Sequence, residues 1–350
     1  MHIINAMFSC GLGGIEQSFI DYSEAIVAQG HKVSVIIHPK AQIKSHLIGS
    51  GINILNVNNL GPWDACAKSY LKKILRQCNA DIIIAHGNRA ASLLKDSAKS
   101  VNCPIIGVTH NYKLYKQIGF DAMFATTLDL KKELIKLGQK EETIFIIPNM
   151  IKEVSLQNKE IAYHKPPVIG TMGRFVKKKG FENYLKSLAI LKKKHIDFKA
   201  VIGGSGEEEK LLIELSKNLD INDKLEFTGW IGNKKDFFDS IDIFVLPSIH
   251  EPFGIILLEA FIHGKPVITT NCEGPSEIAT HNFDALIVEK ENPNKLADAL
   301  IELIKNEQHA ALLAKNAKST VKTYDMDIVG HNICENLKTI INSYNSARYS

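Results

Sequence analysis

The chain has 350 residues, 45% of them hydrophobic and 23% charged, a composition expected of a soluble globular protein long enough for two domains. Its 42 basic and 38 acidic side chains leave a net charge of +4, and residues 1–120 carry twelve basic against six acidic groups. That asymmetry suits an anionic partner such as a phosphate or a lipid surface, or else is only a solvated lysine-rich face; no nucleic-acid partner is expected. Six scattered cysteines (Cys10, Cys66, Cys78, Cys103, Cys272, Cys334) without a CxxC pair argue against a disulfide framework and against zinc, and for a reducing cytoplasm. The opening MHIINAMFSCGLGG runs straight into a strand and a glycine turn, unlike a signal peptide. No run approaches the ~18 apolar residues of a membrane span.

In chain order, short apolar runs predict strands at Ile3–Phe8, Val33–Ile37, Ile52–Val57, Asp81–Ala85, Ile105–Thr109, Ala122–Thr126 and Ile144–Ile147. Helix-period segments lie between them. Trp63–Cys78 places Trp63, Ala67, Tyr70, Leu71, Ile74, Leu75 and Cys78 on one face, opposite Lys68, Lys72, Lys73 and Arg76. The alternation breaks at the polar stretch Pro148–Pro167. It then resumes with strands at Val168–Met172, Ala200–Gly203, Leu225–Phe227, Ile243–Leu246, Val267–Thr269 and Ala285–Val288. The expected fold class is therefore α/β, with two doubly wound Rossmann-like domains, at 1–150 and 167–322, joined by a linker at 151–166. Residues 323–350 form a last helix that either stands alone or packs back on the first domain. In such sheets ligands sit at the carboxyl ends of strands near the topological switch point. A cleft between two facing domains is the natural place for a ligand.

Four stretches after strands carry chemistry. In SCGLGGIEQS, Gly11, Gly13 and Gly14 permit close backbone approach, and a helix start presents free amides to an anion; the same residues also read as a plain turn, since Glu16 breaks GxGxxG. In GRFVKKKG, Arg174 and Lys179 could grip a diphosphate, whereas Lys177 and Lys178 read as solvated. Lysines at a helix start oppose the dipole, which favours a bound anion there. In VIGGSGEEEKL, Gly203, Gly204 and Gly206 again allow close approach, or simply a strand–helix turn. In PSIHEPFGIILLEAFIHGKPVITT, Glu251 lies in a loop and Glu259 sits within an otherwise apolar helix. A buried carboxylate needs donors. Ribose hydroxyls would serve, and so would an ion pair with Lys265 or Arg174; residue chemistry alone leaves the two even.

The Glu251-x7-Glu259 spacing, within PSxxEPFGxxLLEAxxxGKPVI, resembles the family-four glycosyltransferases ("glycosyl transferases group 1"), retaining enzymes of the GT-B fold. GGIE, His110 after the fifth strand, IPN, GRFVKKKG, GGSGEE and FTGWI extend the likeness over nearly the whole chain. Departures are peripheral: Glu273–Gly274–Pro275–Ser276–Glu277 replaces a paired glycine before Pro-x-Glu, the glycine usual before the final strand is absent near NFDALIV, and IPNM lacks a glycine after Asn149. The resemblance implies that Glu259 binds ribose hydroxyls and that Glu251 accepts from the donor sugar. It gives the amides of Phe253 and Gly254 to sugar and phosphate oxygens, and Arg174 with Lys179 to the diphosphate. Gly13 and Gly14 approach that diphosphate from the first domain, Gly204 belongs to the donor site, Gly229 to Ile231 line the base pocket, and His110 faces sugar and acceptor. No cofactor or metal is expected, the nucleoside-diphosphate sugar being a co-substrate. The implied acceptor is a cell-envelope glycan or glycolipid such as lipopolysaccharide, with peripheral contact to an anionic membrane at the inner face of the cytoplasmic membrane. A nucleotide-sugar epimerase and a non-catalytic sugar-nucleotide binder are the rival readings.

Overall fold

The computed structural model describes residues 1–11, 13–152 and 163–349. It divides into two compact units, one formed by Met1–Glu153 with Tyr324–Ser350 and the other by Val154–Thr323. Most of the expected linker, residues 153–162, lies outside the described residues.

The first unit is a seven-stranded sheet of β1 (His2–Met7), β2 (Lys32–Ile37), β3 (Asn53–Asn56), β4 (Ile82–His86), β5 (Ile105–Val108), β6 (Ala122–Ala125) and β7 (Ile144–Ile146), in the order β3-β2-β1-β4-β5-β6-β7. Each neighbouring pair is parallel. Parallel strands are covered by helices on both faces, which is why they read as continuous apolar runs. The two-residue strand period divides β1 between two cores: Ile3 and Met7 join Phe19, Ile26, Val35 and Phe124 on one side, and Ile4 and Ala6 join Leu71, Ile83, Leu94 and Met123 on the other. The order reverses between β1 and β4, so the switch point lies at the ends of those two strands.

The last helix, Met326–Tyr349, belongs to this unit and packs on helix Gly14–Ala28. Gly330 permits the close approach, since a Cβ there would lie 3.0 Å from Ala25 Cβ. The amphipathic segment after β3 differs from its expected form. Its helix spans Ala65–Cys78, because Asp64 caps it by accepting from the Ala67 amide at 3.0 Å. Trp63 therefore precedes the helix and is 72% exposed, and Tyr70 at the stripe's margin is 51% exposed; only Ala67, Leu71, Ile74 and Leu75 are buried.

The second unit is a six-stranded parallel sheet of β8 (Val168–Met172), β9 (Lys199–Gly203), β10 (Leu225–Gly229), β11 (Ile243–Leu246), β12 (Val267–Thr270) and β13 (Leu286–Val288), in the order β10-β9-β8-β11-β12-β13. Its switch point falls between β8 and β11. The buried Asp242 carboxylate fixes the entry to β8 by accepting from the Val168 amide at 2.7 Å and from the His164 amide at 3.1 Å. Both units are Rossmann-like, which bears out the expected fold class.

Candidate active site

In the second unit the loops after β8, β9, β10 and β11 are stitched together by glycines. Gly180 (φ +68°) ends the Lys177–Lys179 turn, and a Cβ there would lie 2.0 Å from the Pro247 carbonyl oxygen. Only glycine tolerates both the left-handed backbone and that approach. The amides of Ile249 and His250 then reach the Lys178 carbonyl at 2.8 and 3.2 Å. This pairing sets Lys179 beside Glu251, and the two form an ion pair through Nζ and Oε2 with side chains only 20% and 12% exposed. Ser248 Oγ also lies 3.5 Å from that carboxylate oxygen.

Gly204 (φ +129°) has a different reason to be glycine from the one its motif suggests. A Cβ there would meet the Gly173 carbonyl oxygen at 1.9 Å, and its amide donates to the Gly229 carbonyl at 2.6 Å. Its missing side chain is thus required by the packing of one loop on another. Gly229 (φ +69°) faces open space, and Ile231 packs over Gly203. Arg174 is exposed and has no side-chain partner among the described residues, so it is available to a ligand; Lys177 and Lys178 are exposed as expected.

Glu251 is itself held in place. Its amide donates to Glu273 Oε2 at 3.2 Å and its carbonyl accepts from the Gly274 amide at 2.9 Å. Burial acts to raise the Glu273 carboxyl, but hydrogen bonds from the backbone and from His250 (2.9 Å) bring it below its ordinary value. Beyond it, Gly254 (φ +97°) opens helix Ile255–Ile262, whose positive dipole end has no side-chain cap. Phe253 is buried, backed by Gly274, where a Cβ would lie 2.4 Å from Phe253 Cα.

Glu259 lies one turn into that helix. Its Oε1 is 2.5 Å from Lys234 Nζ, and its Oε2 is buried with no hydrogen-bond partner. The ion pair weighed from sequence therefore exists, but neither expected partner makes it: Lys265 donates to the Ile241 carbonyl at 2.7 Å, and Arg174 stands apart. Lys234 escapes sequence reading because it reaches Glu259 from the helix after β10, with no spacing to announce it.

In the first unit, Gly13 is the N-cap of helix Gly14–Ala28 and has extended backbone. A Cβ at Gly13 would come within 3.2 Å of Glu16 Oε2, and one at Gly14 would meet nothing within 4 Å. Packing within the chain therefore leaves Gly14 free to be another residue. Glu16 accepts from the Ser9 hydroxyl. His110, just past β5, is half-buried, and its Nε2 is 2.9 Å from His86 Nδ1. Burial pushes the His110 imidazole down to about 4. His86 ends β4 at the switch point, the position the strand-end rule singles out, and it is followed by Gly-Asn much as His110 is followed by Asn. Among the described residues no group of three or more His, Cys, Asp or Glu side chains is placed to hold a metal ion.

Two Rossmann-like units, the second carrying two carboxylates, a cationic loop and glycine turns at its strand ends, suit a phosphate-bearing ligand. Residues 153–320 match the family described as glycosyl transferases group 1, and residues 12–153 match glycosyltransferase family 4. Lipopolysaccharide core biosynthesis glycosyltransferase LpsD of Rhizobium meliloti is 27% identical over 320 residues, 89% of this chain and 90% of its own length. LpsE of the same organism is 25% identical over 314 residues, 88% and 91% of the two chains. The structure of Anabaena HepE in complex with UDP superposes with a TM-score of 0.85 at 20% identity, covering 97% of this chain and all of that one, a likeness of fold. The chain belongs to the glycosyl transferases group 1, with a family-four N-terminal half, and is a glycosyltransferase.

Proposed function

We propose that the protein moves a hexose-type sugar, with retention of anomeric configuration, from a nucleoside-diphosphate sugar to a hydroxyl of a cell-envelope glycan or glycolipid such as lipopolysaccharide. UDP-sugars rank ahead of GDP-sugars as donors. The observation that carries the reading is the buried, partnerless Oε2 of Glu259 in a unit that also presents the Lys179–Glu251 pair and an unpaired Arg174. An acceptor left bare in a dry site costs about 1–3 kcal/mol until a donor arrives, and vicinal ribose hydroxyls are such donors. Further support comes from LpsD and LpsE, whose names place them in lipopolysaccharide core biosynthesis, and from HepE, which takes UDP and UDP-glucose.

In this reading Glu259 Oε2 accepts from the ribose while Lys179 leaves Glu251 for the diphosphate, joined there by Arg174. Glu251 is then free to accept from the sugar hydroxyls, and the amides of Phe253 and Gly254 bind sugar and phosphate oxygens. Gly229 and Ile231 flank the base, Gly13 and Gly14 offer amides to the diphosphate, and His110 faces sugar and acceptor. The acceptor oxygen bonds to the anomeric carbon on the face from which the diphosphate departs, and the acceptor's proton passes to the leaving phosphate oxygen. Positioning and charge stabilisation supply the rate, and the two cations take the part a metal would otherwise play.

Peripheral work at the cytoplasmic face of an anionic membrane fits the exposed Leu60, Trp63 and Tyr70 near Lys72, Lys73 and Arg76. No described helix is long and apolar enough to cross a membrane. A thermal-shift screen over UDP-, GDP- and ADP-sugars identifies the donor, since a ligand of the native state raises apparent stability. Product analysis with and without rough-type lipopolysaccharide then tests the reaction. Transfer only with acceptor supports it; a changed donor sugar without acceptor indicates an epimerase, and binding without turnover indicates a binder.

A further inference from the structure

His86 is a costly residue for its surroundings. It is 2% exposed at the end of β4, with the rings of Phe19 and Tyr22 perpendicular to it at centroid distances of 5.3 and 5.1 Å. Its Nε2 is buried without a hydrogen-bond partner. An apolar side chain of similar size would satisfy this pocket without a bare polar atom, so packing gives no reason for a histidine here. The ring makes one polar link, Nδ1 to His110 Nε2 at 2.9 Å, with the two rings inclined by 24°.

That link restricts both rings. Burial, and the neighbouring His110, hold the His86 imidazole well below its ordinary range, and its place at the N-cap of helix Gly87–Ser97 puts it at a positive dipole end. Two neutral imidazoles share a single proton across the bond, so one must donate and the other accept. The tautomer of His86 therefore dictates that of His110. Among the described residues His110 Nδ1 has no partner, which leaves it as the ring atom able to meet a substrate.

We propose that His86 is a positioning residue for sugar transfer: through its single hydrogen bond it locks the tautomer and ring orientation of His110, so that His110 Nδ1 faces the sugar and acceptor in one protonation state. The coupling of the two tautomers stands on the geometry, the spectra below read which one His110 adopts, and the consequence for turnover rests on the role proposed for His110.

The test has two arms. In the first, nitrogen-15 histidine spectra of the ligand-free protein report the His110 tautomer. Wild type and His86→Asn, whose amide can reach the Nδ1 position, show one neutral tautomer, whereas His86→Phe shows a mixture. His86→Leu replaces His86→Phe if the larger ring disturbs folding, checked by circular dichroism and melting. An unchanged His110 signal in the folded Phe or Leu variant overturns the lock. In the second arm, UDP-glucose and rough-type lipopolysaccharide are the probes. His86→Phe lowers kcat about 10- to 100-fold, as a misplaced catalytic group does, with UDP affinity unchanged. His86→Asn recovers most of the rate, and His86→Phe has no further effect in a His110→Ala background. Equal losses in the Asn and Phe variants, or the same loss with and without His110, overturn the positioning role. A wild-type rate in His110→Ala removes the role of His110, and with it the consequence for turnover, whatever the spectra show.

Discussion

Replacing Glu259 by alanine separates affinity from stability, because its two oxygens have different surroundings. Oε1 pairs with Lys234, whose side chain is 54% exposed, so the pair contributes about 0–1 kcal/mol and Lys234 returns to water when it is broken. Oε2 is buried and bare, a burden of about 1–3 kcal/mol in the ligand-free protein. Removing both leaves net stability unchanged or raised by about 1–2 kcal/mol, a rise that in a unit of this size moves Tm up by roughly 2–8 °C. The bound state behaves oppositely. Two ribose hydroxyls donating to a carboxylate are worth about 1.5–3 kcal/mol each, so the variant loses at least ~3 kcal/mol, roughly a hundredfold or more in Kd. Calorimetry with UDP and melting of the same preparation read both quantities. A variant that melts several degrees lower yet binds UDP as the wild type does would make Glu259 a structural residue and refute the reasoning.

Arg174→Ala, at an exposed position with no side-chain partner among the described residues, leaves stability within about 0.5 kcal/mol of wild type while kcat falls at least about a hundredfold; melting and donor-dependent turnover check it. Gly180→Ala and Gly204→Ala meet carbonyl oxygens at 2.0 and 1.9 Å with positive φ, so each destabilises by about 2 kcal/mol or more in denaturant titration, whereas Gly14→Ala faces open space and holds stability within about 1 kcal/mol. Any loss of turnover in Gly14→Ala then reports ligand approach. The folded His110 titrates near 4, below the unfolded value of about 6.5, so the unfolded chain binds more protons in between. Its contribution to stability is present above pH ~6.5 and is lost as pH falls toward 4; His110→Ala flattens that slope in urea titrations at pH 4.5 and 6.5. If the peripheral-membrane reading holds, the protein is expected to co-sediment with phosphatidylglycerol vesicles at low salt and to be released at high salt; absence of binding at low salt removes that reading.

Strand and helix order was legible because parallel strands covered on both faces must be largely apolar, as in β11, whose residues are all apolar and buried. The Glu251–Glu259 spacing was legible because both acids sit around one helix start. What the residue pattern could not show was set by contacts across loops. Trp63 matched a helical stripe, yet the Asp64 cap starts the helix only after it. Gly204 looked like room for a ligand, but the Gly173 carbonyl fills that room. Lys234 stands 25 positions from Glu259 and His86 stands 24 from His110, and only the parallel sheets bring each pair together.

The most direct test is a crystal structure with an intact UDP-sugar. The account predicts Glu259 Oε2 within hydrogen-bond distance of a ribose hydroxyl and Lys179 Nζ moved from Glu251 to the diphosphate. A bound nucleotide that leaves both Lys179–Glu251 and the bare Glu259 oxygen as they stand would contradict it.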